Sequence, residues 1–327
     1  MNEETLPDST LDELRRLAGE GMVLPTWLRN STELLTRASD ESLPLPARLT
    51  ALGAFARALD ELFVVHLPGL TRAGASGGAD DLQLAAALPG RVRLLVTQAA
   101  RLLEFSLLPA LQQHGFRILP VSQLTPAQQG WLHSYFSTRV YPLLTPLAVD
   151  PGHPFPFISS DSLNLLVQMR KPGVSPYEGG SLFARVKIPR ITPRLLKLPA
   201  ELNDPVGSGP AAQICVWSGD LVRHFVYQLF PGMPIQRVHY FRLLRAQPPN
   251  GPAASLNGSP ARPRRLSFQP VVRLDVEEEM APAMLSWLVD HLHVPMTNVF
   301  RYTLPLELMC LGHFAEFAAR CLAGRQP

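Results

Sequence analysis

Residues 143–167 read LLTPLAVDPGHPFPFISSDSLNLLV, and the character of the chain changes across them. Five prolines between residues 142 and 156 fix φ and remove backbone donors, so this stretch is a rigid extended connection rather than a regular element. Upstream, apolar residues recur at helical spacing. Val92, Leu95, Val96, Ala99, Leu102 and Leu103 form one stripe within Arg91–Gln113. Leu49, Leu52, Phe55, Leu59 and Phe63 form another that runs toward Pro68-Gly69, which reads as a stop. GASGGADD, 74–81, reads as a flexible loop between the two helices. Thr125-Pro126-Ala127-Gln128 has the form of a capping box and opens a helix to about Arg139, which Pro142 keeps from continuing. Downstream, 164–169, 182–188, 213–217, 235–244 and 271–276 are short β-type runs between Pro/Gly-rich turns, with helical patterns at 219–230 and 280–293. The expected class is α then α+β: an N-terminal antiparallel helical bundle (1–117) followed by a mixed α+β head domain (118–327). The stretch 246–263, AQPPNGPAASLNGSPARP, has almost no apolar bulk and reads as a flexible insert in the head domain.

Composition narrows the classes. Apolar residues make up 46% of the 327 and charged residues 17%, which fits a globular chain and excludes a disordered one. Its 33 prolines exclude a coiled coil. A net charge of +3 is too small to advertise a nucleic-acid protein, but the balance is uneven: −3 over residues 1–117 and +6 over the rest. Cys215, Cys310 and Cys321 are far apart, without zinc spacing, and read as reduced structural thiols. The acidic N-terminus lacks the order of a signal peptide, and apolar runs such as Leu62–Leu67 fall short of a bilayer span. The expectation is a cytoplasmic protein with no transmembrane segment and no nucleic-acid partner.

Chemistry-bearing motifs are sparse. No Walker loop, GxGxxG after a strand, HExxH or GxSxG occurs. Asp150 and His153 lie three apart with no nucleophile near them, so a structural hydrogen bond from His153 is the plainer reading. His66, His114, His133, His153, His224, His239, His291, His293 and His313 are scattered outside any glycine- or arginine-rich cage. No catalytic residue and no metal ligand is assigned. Arg185, Lys187, Arg190, Arg194 and Lys197 form a basic run without an intervening acid. Alternate strand residues share a face, which makes Arg185 and Lys187 candidates for contact with a polyanion.

The 143–167 stretch also resembles the signature of bacterial polyphosphate kinase, the enzyme that reversibly transfers the terminal phosphate of ATP to a polyphosphate chain. Residues 47–70, with Leu59-Asp60-Glu61, resemble that family's N-terminal helix pair. Phe183–Pro189 resembles its FARVK strand, and Leu229-Phe230-Pro231-Gly232-Met233 followed by Phe241-Arg242 its LFPGM…FR block. Val271–Asp275 and Asn298–Leu308 resemble the strand and closing segment of the same region. The resemblance implies an N-terminal domain, then a head domain that mediates much of a dimer contact. It also implies that the phosphorylated histidine and most phosphate ligands belong to two domains further along than residue 327.

At the position of a nucleotide-contacting Asn in the family, this sequence has Ala58, whose methyl group neither donates nor accepts. Arg57 and Asp60 are the residues left there that could touch a nucleotide. ATP and Mg²⁺ are implied by the family only, with no cofactor expected for the isolated chain. The expected function is that of a truncated, divergent homologue: a non-catalytic dimerisation or regulatory module that pairs with itself or with a polyphosphate kinase chain. One alternative is the N-terminal half of a split polyphosphate kinase; a second is a polyphosphate-binding protein.

Overall fold

The computed structural model describes residues 23–75, 79–149, 155–170, 181–190, 194–203, 212–247 and 269–302. Asp150, His153, most of the insert expected at 246–263 and the residues after Tyr302 lie outside them. The helical part begins with α1 (Val23–Ser39) and α2 (Leu45–Glu61). Leu45, Leu49, Leu52, Phe55 and Leu59 are buried along α2 and pack with Trp27, Leu28 and Leu35 of α1, so the stripe read from the sequence faces the core. Arg48 is buried in the same seam, its Nε donating to the Ala38 carbonyl at 3.0 Å and its Nη2 to Ser106 Oγ at 2.7 Å.

The helix does not stop at Pro68-Gly69 as the sequence suggested. A π-helical turn, Leu62–His66, leads directly into α3 (Leu67–Ala75). Pro68 has no N–H to give the Val64 carbonyl one turn back. The backbone N–H of Gln247 supplies that bond instead, at 2.8 Å from the head domain. The expected 74–81 loop is likewise shorter, because α3 reaches Ala75 and α4 (Ala79–Leu102) begins at Ala79. A second π turn, Leu103–Leu107, joins α4 to α5 (Leu108–Gln113), where Pro109 occupies the first turn. Gly115 ends that helix at φ +78°, the left-handed conformation that glycine adopts without strain. By length and composition Leu88–Gln113 could cross a membrane. Here Leu88, Val92, Leu95, Val96, Leu103, Leu107 and Leu111 face the helical core.

Among the described residues the head domain holds two sheets. The smaller has the order β1 (Phe116–Ile118), β6 (Gln213–Trp217), β5 (Leu195–Lys197), with β1 parallel to β6. The larger has the order β2 (Leu147–Val149), β4 (Ser181–Lys187), β3 (Ser162–Arg170), β7 (Ile235–Arg245), β8 (Val271–Glu277), β9 (Val299–Tyr302), antiparallel except between β8 and β9. α6 (Pro126–Tyr135) and α7 (Ser218–His224) accompany the smaller sheet, and α8 (Pro282–Leu292) the larger. The capping box at Thr125 forms as read, each partner bonding the other's backbone N–H.

Strand alternation decides what each face of the large sheet meets. Leu166, Phe241, Leu243, Leu274 and Val276 share one face and pack with Met284, Leu285, Leu288 and Leu292 of α8. Leu165, Val167, Ala184, Val186, Tyr240, Leu244 and Phe300 share the other, and these belong to the same buried cluster as the helical domain. The two domains thus have one continuous core.

Candidate functional site

The apolar face of the sheet that meets the helices is interrupted by charge. Arg242 on β7 stands opposite Asp275 on β8 in register, and Arg273 lies two residues from Asp275 on the same strand face. All three side chains are buried. Across the domain boundary, the last turn of α2 places Asp60 among them. Arg242 grips both carboxylate oxygens of Asp60, donates Nη1 to Asp275 Oδ2 at 3.0 Å and donates Nη2 to Asp161 Oδ1 at 2.6 Å. Arg273 donates Nε to Asp275 Oδ1 at 2.7 Å, Nη2 to the Tyr302 hydroxyl at 2.6 Å and Nη1 to Asp60 Oδ1 at 3.4 Å. The Phe63 and Phe300 rings lie about its guanidinium at 5.2 and 5.0 Å. Asp161 sits at φ +54°, a turn conformation that Asp tolerates better than most residues.

Desolvation and pairing compete in this cluster. Burial lowers the affinity of Arg242 for its proton, but Asp60, Asp161 and Asp275 outweigh it and hold the guanidinium well above its ordinary range. Burial pushes the Asp60 carboxyl upward, against the attraction of Arg242 and Arg273. Asp161 also feels burial, yet Arg242 and Arg190 together hold it below the ordinary carboxylate value. Burial first, with Asp275 adding to it, drives the Tyr302 hydroxyl above its usual range, so it stays protonated. The chemistry of the cluster is therefore cation–carboxylate locking, reinforced by Arg93. That side chain reaches from α4 to the carbonyls of Thr297 and Val299, both at 2.7 Å.

Of the residues singled out from the sequence, Asp60 joins this cluster, while Arg57 is exposed on α2. Ala58 is half-buried, and its backbone carbonyl accepts the Trp27 indole N–H at 2.8 Å. Arg185 and Lys187 do share one face of β4, away from the charge junction: Arg185 is buried against Asn164, and Lys187 donates to Ser159 Oγ at 3.1 Å. Sequence reading missed Asp161, Arg273 and Asp275. The signal was present in VVRLDV, where Arg and Asp sit two apart in an otherwise apolar strand and must share a face. Among the described residues no group of His, Cys, Asp and Glu is placed to hold a metal ion.

A cavity of about 720 Å³ opens beside the junction, between α5, β1, α7 and the end of β8. Glu277 lines it and accepts from Arg223 at 2.7 Å, His239 at 3.0 Å and the Tyr240 N–H at 3.1 Å. Asp220, on the same wall, accepts the Val121 N–H at 2.7 Å, while its burial pushes its carboxyl upward.

A helical domain sealed by buried ion pairs onto a mixed-sheet head defines a two-domain α then α+β protein. Residues 25–119 match the polyphosphate kinase N-terminal domain and residues 127–248 the polyphosphate kinase middle domain. Among curated proteins, the polyphosphate kinase of Mycobacterium avium is 34% identical over 297 residues, covering 88% of this chain and 40% of that protein. That of Thermosynechococcus vestitus is 34% identical over 308 residues, covering 89% and 40%. The crystal structure of polyphosphate kinase from Porphyromonas gingivalis has a similar fold, with a TM-score of 0.67 at 20% identity over 88% of this chain and 39% of that one. The chain belongs to the polyphosphate kinase family through its N-terminal and middle domains, and it spans about two fifths of the length of these relatives.

Proposed function

We propose that these two domains work as a pre-assembled docking and regulatory unit of a polyphosphate kinase system, not as a phosphoryl-transfer centre of their own. The observation that carries this reading is the engagement of Asp60 by Arg242 and Arg273. Phosphoryl transfer needs cationic groups aimed at the transferred phosphate. The buried arginines at this junction are aimed at protein carboxylates instead. The Arg57–Asp60 turn fits a nucleotide poorly for the same reason: Asp60 is already paired, and Ala58 offers a methyl group. No step through ATP or Mg²⁺ is assigned to these residues. The partner in this reading is a second copy or a polyphosphate kinase chain, met through the head domain in the cytoplasm.

Light scattering of the chain alone and with a full-length polyphosphate kinase tests the pairing, and a phosphate-transfer assay with ATP, Mg²⁺ and polyphosphate tests the chemistry. The expected outcome is association without turnover by the isolated chain. A strictly monomeric chain, or turnover by the isolated chain, overturns the reading. Similarity to the relatives along 88% of the chain favours a second reading, the N-terminal half of a split kinase. Turnover that appears only on adding separately produced catalytic domains would select it.

A further inference from the structure

The cavity of about 720 Å³ beside the junction draws its walls from both domains. The π turn Leu103–Leu107 and α5 contribute Glu104, Leu108 and Leu111. α7 and the turn after β8 contribute Asp220, Glu278 and Glu279. Trp217 and Tyr302 add aromatic surface, and the Tyr302 hydroxyl ties this wall to Arg273 of the junction. Small-molecule sites enclose roughly 300–1,000 Å³ and combine apolar walls with a few charged groups. This cavity meets both conditions.

Its charges do not cancel. Glu277 is neutralised within the wall by Arg223 at 2.7 Å. Four carboxylates remain in the lining, those of Glu104, Asp220, Glu278 and Glu279, against the guanidinium of Arg117. Glu104, Glu278 and Glu279 are exposed and have no ion-pair partner among the described residues. Asp220 accepts the Val121 N–H through Oδ2 at 2.7 Å, and its other oxygen has no donor among the described residues. Burial raises this carboxyl in spite of the Val121 bond and of Arg223 and His224, so a cation at the open oxygen would favour the ionised form. The turn that carries Glu278 is fixed at both backbone groups. Its N–H donates to the Tyr302 carbonyl at 2.8 Å, and its carbonyl accepts from Arg301 Nη1 at 2.8 Å.

The carboxylates do not converge on one point, because no group of His, Cys, Asp and Glu among the described residues is placed to hold a metal ion. A single compact cation therefore reaches too few of them. Amines spaced along an apolar chain can meet carboxylates on separate walls while the methylenes lie on Leu108, Leu111 and Trp217. A polyanion is disfavoured by sign. We propose that this cavity binds a short aliphatic polyamine, its ammonium groups against Glu104 on the helical domain and Asp220, Glu278 and Glu279 on the head domain. Such a ligand touches both domains, so its binding adds to the stability of their docked arrangement. The proposal holds whether or not the chain pairs with another chain or transfers phosphate.

The test is calorimetric titration of the full chain with spermidine at low and at raised salt, alongside putrescine and magnesium chloride. Spermidine is expected to bind at one site per chain, with an affinity that falls as salt screens the carboxylates. Putrescine carries one ammonium fewer and should bind more weakly, and Mg²⁺ more weakly still. Glu104→Gln and Glu279→Gln alter exposed side chains and should each weaken spermidine roughly threefold, the pair roughly tenfold. Asp220→Asn keeps an acceptor for the Val121 N–H and should also weaken it. Glu33→Gln, an exposed acid on α1 outside the cavity, should leave it unchanged. Spermidine should raise the melting temperature of the wild-type chain, and raise that of E104Q/E279Q less. Absence of saturable spermidine binding at low salt overturns the proposal, as does equal binding by the E104Q/E279Q chain or equal weakening by E33Q. Mg²⁺ binding as tight as spermidine, with the same variant pattern, also overturns it, because a mere patch of negative charge would then account for both.

Discussion

Arg242 touches three carboxylates from three separate parts of the chain: Asp60 on α2, Asp161 before β3 and Asp275 on β8. Removing it would leave the wholly buried Asp275 with Arg273 as its one ion-pair partner among the described residues and would strip Asp60 of its closest partner. Removing one partner from a buried ion pair typically costs about 3–5 kcal/mol, because an uncompensated charge remains. Arg242→Met is therefore expected to lose stability of that order in urea denaturation; a loss below about 1 kcal/mol would contradict the junction's role. Asp161 supplies a pH signature. Its folded-state value is depressed by Arg242 and Arg190 against the opposing effect of burial, so the stability it contributes is present above the unfolded value of about 3.9. That contribution is lost as pH falls through the lower folded value. Asp161→Asn keeps a residue that tolerates positive φ, and its stability deficit should be constant above about pH 5 and close toward about pH 3. The side chain is 49% exposed, so the deficit should be modest. A deficit that persists unchanged at pH 3 would show that the carboxylate charge is not its source.

Among the elements, α6 shows how one side chain can act twice. Gln128 closes the capping box through Oε1, and its Nε2 donates to the Leu202 carbonyl at 2.8 Å, tying the helix to the turn after β5. Thr125→Ala removes only the cap hydroxyl and should cost about 1 kcal/mol. Gln128→Ala also leaves the Leu202 carbonyl without that donor, so thermal denaturation should show a loss of about 1.5–3 kcal/mol. Equal losses would mean that the Leu202 contact contributes nothing. The capping box was legible because its signal is local, four residues long and tied to one geometry. The long strands were legible for a similar reason: seven to eleven residues of β-type chemistry between turn formers leave little ambiguity. β1, β2 and β5 are three residues each, too short for alternation to register, and pairing to distant strands creates them. The run through Pro68 was misread because proline usually ends a helix. What overrides it is a π turn and a donor from Gln247, nearly two hundred residues away in sequence. Asp60 and Arg242 each stood out in the sequence, but nothing local joins residues 182 positions apart.

For the molecule as a whole, the junction makes the helical and head domains depend on one another. Apolar residues of both domains share one buried cluster, Asp60 is clamped by head-domain arginines, and Arg93 reaches from α4 to the backbone before and within β9. An interface that is both apolar and ion-paired should make the two domains unfold together, whereas domains joined only by a linker unfold separately. Calorimetry of the wild-type chain is therefore expected to give one transition. Asp60→Ala with Arg93→Ala removes both sets of polar clamps while leaving each domain's own core intact. It also leaves Arg242 and Arg273 with fewer carboxylates, so the head domain should lose more stability than the helices. The double variant should split the single transition into two, the head melting first, with near-ultraviolet circular dichroism changing in the lower step and most helical signal in the upper one. A single transition that merely moves to lower temperature would mean that the apolar contacts alone couple the domains and that the ion pairs serve only to compensate one another's burial.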